Sequence, residues 1–148
     1  MAVVDYHGIL TELKTILDAD ATLGDVPVFI EEDPQFDLSG AGRAIVLTLS
    51  SRREGGGQPL AAGKRTRWHV RIGVWAVGYA LSFELAAKAR DDLVGLLELV
   101  LMNNRTVSGK MAAGWLEGGE FISVRSQSEG SYALAETIFV GEALAVAT

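Results

Sequence analysis

The sequence predicts an α+β domain: a mostly antiparallel sheet of about five strands, two helices packed on one of its faces, and a long β-hairpin projecting beyond the body. Three observations point to it. Two stretches repeat apolar residues at three- and four-residue steps, the spacing that gathers side chains on one side of a helix. Several shorter stretches alternate apolar and polar residues, as half-buried strands do. Between two of those strands, Ser51 to Arg65 holds four glycines and one proline, which is loop chemistry.

The first helix is expected over Val4 to Ala19, where Tyr6, Ile9, Leu10, Leu13, Ile16 and Leu17 share a face. Asp5 is placed to cap it, because its carboxylate can accept a bond from an otherwise unpaired first-turn amide. Pro27 to Ile30 reads as a short strand, with proline tolerated at its first position. Ala44 to Leu49 reads as the next, with Ile45, Leu47 and Leu49 on one face. After the glycine-rich loop, Thr66 to Val77 carries the strongest strand pattern. Trp68, Val70, Ile72 and Val74 point one way, while Arg67, His69, Arg71 and Trp75 point the other. A connecting loop of about fifteen residues exceeds the usual hairpin range, and loops of that size tend to be functional.

Ser82 is expected to cap a second helix reaching about Asn103, with Phe83, Ala86, Leu93, Leu96, Leu97, Val100 and Leu101 as its apolar stripe. Arg90 falls at the edge of that stripe, where its stem can pack while its head reaches water. Glu120 to Arg125 and Ser131 to Val146 read as the last strands, joined through Ser128-Glu129-Gly130. One domain over residues 1–148 accounts for the whole chain.

Composition narrows the chemistry. The chain has no cysteine, so disulfides and thiolate metal sites are excluded. Its two histidines, His7 and His69, lie far apart, and no cofactor or metal is expected. No apolar run approaches the roughly 18–20 residues of a membrane-spanning helix, and the first residues lack a secretory pattern. Gly55 to Thr66 superficially resembles a phosphate loop. Gln58 stands where that motif needs glycine, Arg65 follows the lysine where Ser or Thr is needed, and a strand follows instead of a helix. The adjacent acids Glu31-Glu32-Asp33 and Asp91-Asp92 point apart on a strand or helix, so neither forms a catalytic pair by itself. No G-x-S-x-G elbow is present. The expectation is therefore a protein that is not an enzyme.

Charge supplies the candidate interface. The net charge of −6 is the sum of +6 between Arg43 and Arg71 and −12 elsewhere. Nine acids stand against the single base Lys14 before Arg43. Such polarity concerns association. Arg52, Arg53, Lys64, Arg65, Arg67, His69, Arg71 and Trp75 are the candidate subunit or partner residues. Arg52, Arg53, Lys64 and Arg65, read as exposed loop charges, are expected to contribute to assembly and little to stability.

The order of these elements resembles the tail terminator, or tail-completion, proteins of long-tailed bacteriophages. The resemblance runs through Tyr6-His7-Gly8-Ile9-Leu10-Thr11-Glu12-Leu13, Val28-Phe29-Ile30 and Ala44-Ile45-Val46-Leu47. It continues through Arg67-Trp68-His69-Val70-Arg71-Ile72-Gly73-Val74-Trp75 and Ala89-Arg90-Asp91-Asp92-Leu93-Val94. It implies a virion protein, assembled in the host cytoplasm, that forms a homo-oligomeric, hexameric ring on the head-proximal end of the tail tube. Such a ring stops tube polymerisation and offers a surface to the connector proteins of the head. DNA passes its channel without specific binding, in keeping with an acidic chain that repels phosphate. Another neck or head–tail connector subunit is the nearest alternative. A small enzyme or ligand-binding domain using the polar sheet face is the alternative from a different class, and it requires a concave pocket with convergent polar groups.

Overall fold

The computed structural model describes residues 2–32, 42–54, 68–125 and 130–147. In chain order the elements are β1 (Ala2–Val4), α1 (Tyr6–Ala19), β2 (Val28–Ile30), β3 (Gly42–Glu54), β4 (Trp68–Ala80), α2 (Phe83–Asn103), β5 (Met111–Leu116), β6 (Phe121–Arg125), β7 (Ser131–Ala143) and β8 (Ala145–Ala147). The architecture is α+β, with two helices and an open mixed sheet of six strands in the order β2-β3-β4-β7-β5, β6 also pairing with β7. Among the described residues only the β2–β3 ladder of this sheet is parallel, and its other ladders are antiparallel. A separate two-stranded ladder joins β1 to β8.

Both helix caps form where the sequence places them. The Asp5 carboxylate accepts from the Gly8 N–H at 2.9 Å, and the Ser82 hydroxyl accepts from the Leu85 N–H at 3.3 Å. Helix α1 begins at Tyr6 and not at Val4, because residues 2–4 pair with β8 instead. The expected last strand is divided at Leu144 into β7 and β8. Strand β5, which the sequence reading passed over, joins the C-terminal half of β7, and β6 joins the N-terminal half. The connection between them stays bonded to β7: the Glu117 N–H donates to Ile138 and the Ile138 N–H donates to Gly118. Strands β5 and β6 are thus one interrupted edge.

Two β-bulges set which way the functional side chains point. In β3 the register shifts between Leu49 and Ser51, and in β5 it shifts between Ala112 and Trp115. Each adds a residue to one strand and reverses the alternation beyond it. The first turns Arg52 toward the helix side and Arg53 toward the other face. The second turns Trp115 away from the helices, with Ala113 at φ 32° in the turn. Arg105 holds this bulge: its Nε donates to the Gly114 carbonyl at 2.7 Å, and the Gly114 N–H donates back to the Arg105 carbonyl at 2.7 Å.

The main core lies between the sheet and both helices. Ile9, Leu10, Leu13 and Leu17 of α1 and Leu93, Leu97, Val100 and Leu101 of α2 pack with Ile45, Leu47, Val70, Ile72, Val74 and Phe139. At Gly78 the backbone of α2 sits directly on β4. A Cβ there would collide with the Ala86 carbonyl oxygen and lie 2.8 Å from the Arg90 amide nitrogen. Glycine is required by that close approach. Arg90 departs from expectation. Its side chain is 10% exposed, with Nε donating to Asp91 Oδ1 at 2.8 Å and the guanidinium 4.8 Å above the Phe121 ring. The head is held under β6 and does not reach bulk water.

Ile72 and Leu93 are both fully buried in this core. Replacing either with Ala should lower stability by about 2–5 kcal/mol in denaturant melts, the usual range for such truncations. An unchanged melting midpoint for both would contradict the packing.

Candidate functional site

The second face of the sheet carries the residues the charge pattern singles out. Cross-strand partners share a face, so β4 places His69, Arg71, Gly73, Trp75 and Val77 there with Glu142, Val140, Ile138, Glu136 and Leu134 of β7. From β3 come Ala44, Val46, Thr48 and Arg53, and from β5 and β6 come Trp115, Ile122 and Val124. Among the described residues no helix or strand covers this face.

Its two ends differ. At one end Glu32, Val46, Thr48, Trp75, Val77, Val124, Tyr132 and Leu134 line an open groove of about 460 Å³. The floor is apolar: Ala44, Val46 and Val77 are buried, with Phe29, Trp75, Tyr132 and Leu134 packed against them. The Trp75 indole N–H donates to Thr48 Oγ1 at 3.3 Å, which fixes the ring across the strands. Gly73 leaves room for this arrangement, since a Cβ there would lie 3.0 Å from Glu136 Oε2 and 3.1 Å from Trp75 Nε1.

The other end is charged. Arg71 forms an ion pair with Glu117 across β7. The His69 ring stands edge-on to Trp115 with centroids 5.8 Å apart, and its Nδ1 has no hydrogen-bond partner among the described residues. Between the two ends sits Glu136. Burial pushes its carboxyl above the ordinary glutamate value of 4.5, and the neighbouring Glu120 carboxylate pushes the same way, while Arg71 opposes both.

The candidate residues therefore separate into three groups. His69, Arg71 and Trp75 share the open face, and Arg53 joins them at its far end. Arg52, expected in a loop, is a strand residue on the helix side. Its Nη1 donates to the Tyr6 hydroxyl at 3.1 Å, and its guanidinium lies 5.3 Å from the Tyr6 ring centre and 4.7 Å from that of Trp68. It ties β3, β4 and α1 together. Lys64, Arg65 and Arg67 lie outside the described residues.

The groove itself went unread in the sequence, though a signal for it exists. Ala44-Ile45-Val46-Leu47 and Val74-Trp75-Ala76-Val77 are apolar at every position, a pattern of strands buried on both faces. Among the described residues, no group of three or more His, Asp and Glu could hold a metal ion. No described helix is long and apolar enough to cross a membrane.

Two predictions follow from this geometry. Arg52→Ser should lower stability by about 0.5–2 kcal/mol, because a cation between two rings is lost; an unchanged thermal midpoint would contradict the clamp. Glu136→Gln should raise stability at neutral pH. The carboxyl binds a proton more tightly folded than unfolded, so its ionised form opposes folding above the folded pKa. That gain should shrink as pH falls through the folded pKa and vanish below 4.5, where the wild-type side chain is protonated in both states. A benefit independent of pH in paired melts would contradict this origin.

No family model matches the chain, and no curated protein matches it. Among solved structures it is similar to a chain described as "Virion of native gene transfer agent (GTA) particle". The sequence identity is 15%, the match covers 91% of this chain and 90% of that one, and the TM-score is 0.36. A likeness of that size carries no functional argument.

Proposed function

We propose that this chain is a structural subunit of a phage-type virion, a tail terminator that assembles head to tail into a ring, probing no substrate and carrying out no reaction. The observation that supports this most is the open sheet face: strands apolar on both sides, helices on one side only, and a groove framed by carboxylates on the other. Continuous apolar strands are stable in water when both faces are covered, and among the described residues only the helix side carries a second layer, which leaves the groove side for a partner. The long β3–β4 hairpin extends the same face beyond the groove as far as Glu54 and Trp68.

Terminating a tube needs two unlike surfaces, one fitting the last tube ring and one rejecting a further tube subunit. A protomer with a helical layer on one side and an open sheet on the other has two such surfaces. Contact between unlike surfaces is heterologous and closes into a ring when the rotation per subunit allows. In this reading the tail tube protein and the connector proteins of the head are the partners, and the acidic balance of the chain keeps passing DNA from being gripped.

The test is the mass of the purified protein alone and after incubation with cognate tail tubes, followed by electron microscopy of the tubes. The expected result is a discrete ring-sized species, free or seated on tube ends at the head-proximal side. A strict monomer at every concentration that ignores tubes would overturn the reading. Density elsewhere in the neck would overturn the terminator role in favour of a connector subunit.

A further inference from the structure

We propose that the groove on the open sheet face receives the basic segment 55–67 of a second copy of this chain. In this contact the Pro59-Leu60-Ala61-Ala62 run lies against Trp75, Val77 and Leu134, and Lys64 and Arg65 meet the carboxylates beside the groove. The inference rests on the ring reading and names the contact that would hold the ring together.

Charge complementarity selects this occupant. Glu32 lines the groove, Glu136 pairs across the strands with the groove residue Trp75, and the Glu136 N–H donates to the Glu120 carbonyl at 2.8 Å, which brings the two side-chain charges close enough to interact. Arg71, the cation nearest Glu136, is already paired with Glu117. The groove thus combines an apolar floor with carboxylates at the rim, of which Glu136 is offset in part by Arg71. Segment 55–67 has the complementary composition, with Leu60 among small residues, three cations (Lys64, Arg65, Arg67) and no acid. Another exposed apolar surface among the described residues is the outer side of α2, where Leu85, Leu99 and Met102 stand out. Glu84, Asp91, Asp92 and Glu98 surround it against Lys88 alone. Docked in the groove, it would press carboxylates on carboxylates, which disfavours association.

Reach selects the second copy over the same chain. Strand β4 runs seven residues from Trp75 back to Trp68, with β3 beside it to Glu54, so the segment starts about 23 Å beyond the groove at 3.3 Å per residue. Leu60 is six residues from Glu54, about 20 Å of fully extended chain, which falls short of its own groove. A neighbour placed beyond the hairpin end is met without reversal, and repetition of that step is a head-to-tail ring.

Two variants test this. Glu32→Lys with Glu120→Lys changes exposed residues on the groove side, and Lys64→Glu with Arg65→Glu changes the segment. Each double variant should fold as wild type yet bring at least about a tenfold loss of assembly by light scattering, while a one-to-one mixture should recover it. Wild-type assembly by either variant alone, or no recovery on mixing, would overturn the docking while leaving a ring-forming wild type intact. A wild type that never assembles would overturn the ring reading and this inference with it. The chain has no native cysteine, so oxidation of a Leu60→Cys, Val124→Cys variant gives an independent readout. A ladder of cross-linked multimers is expected. A cross-link confined to single chains, or none, would overturn the contact between copies.

Discussion

Alternation along β4 commits Val70, Ile72, Val74 and Ala76 to one side of the sheet, and both helices crowd onto that side. The seat is close: α2 lies with its backbone against Gly78, where no side chain fits. With both helices used there, the described elements leave no hydrophobic layer for the opposite face. Yet Val46, Val77 and Leu134 on that face are as apolar as the residues of a core. Among the described elements this sheet has a helical layer on one side only, and that is the constraint from which the association proposal follows.

The face is also graded in polarity, which a plain hydrophobic patch is not. The apolar groove with Trp75 gives way, through Glu136 and Glu120, to Arg71 and His69. In the proposed assembly, apolar burial would supply the drive for association and the charges would choose the partner and its register. The carboxylates at the groove would repel an acidic neighbour, including the outer side of α2, and so limit the ways in which two copies stack.

Much of the fold was legible in the sequence because local patterns decided it. The spacing of Ile9, Leu13 and Leu17, the caps Asp5 and Ser82, and the alternation from Trp68 to Val74 each act over a few residues and were met in the structure. What escaped depends on partners distant in the chain. The β1–β8 ladder pairs residues near opposite ends of the chain, and β5, interrupted by a bulge at Ala113, shows no clean period. The site was read in part for the same reason. His69, Arg71 and Trp75 share a face by simple alternation, whereas the bulge after Leu49 reverses it and delivers Arg52 to the aromatic clamp with Tyr6 and Trp68. Arg53 takes its place on the open face. Val46 and Leu134 went unread because apolar residues on a strand look alike whichever face they serve.

The open sheet face is the surface proposed here to carry association. Oxidative footprinting of Trp75 and Tyr132, before and after assembly, tests it most directly, with Phe121 on the opposite face, 65% exposed, as an internal comparison. Strong protection of Trp75 and Tyr132 is expected in the assembled state. Equal labelling of both residues in monomer and assembly would contradict it.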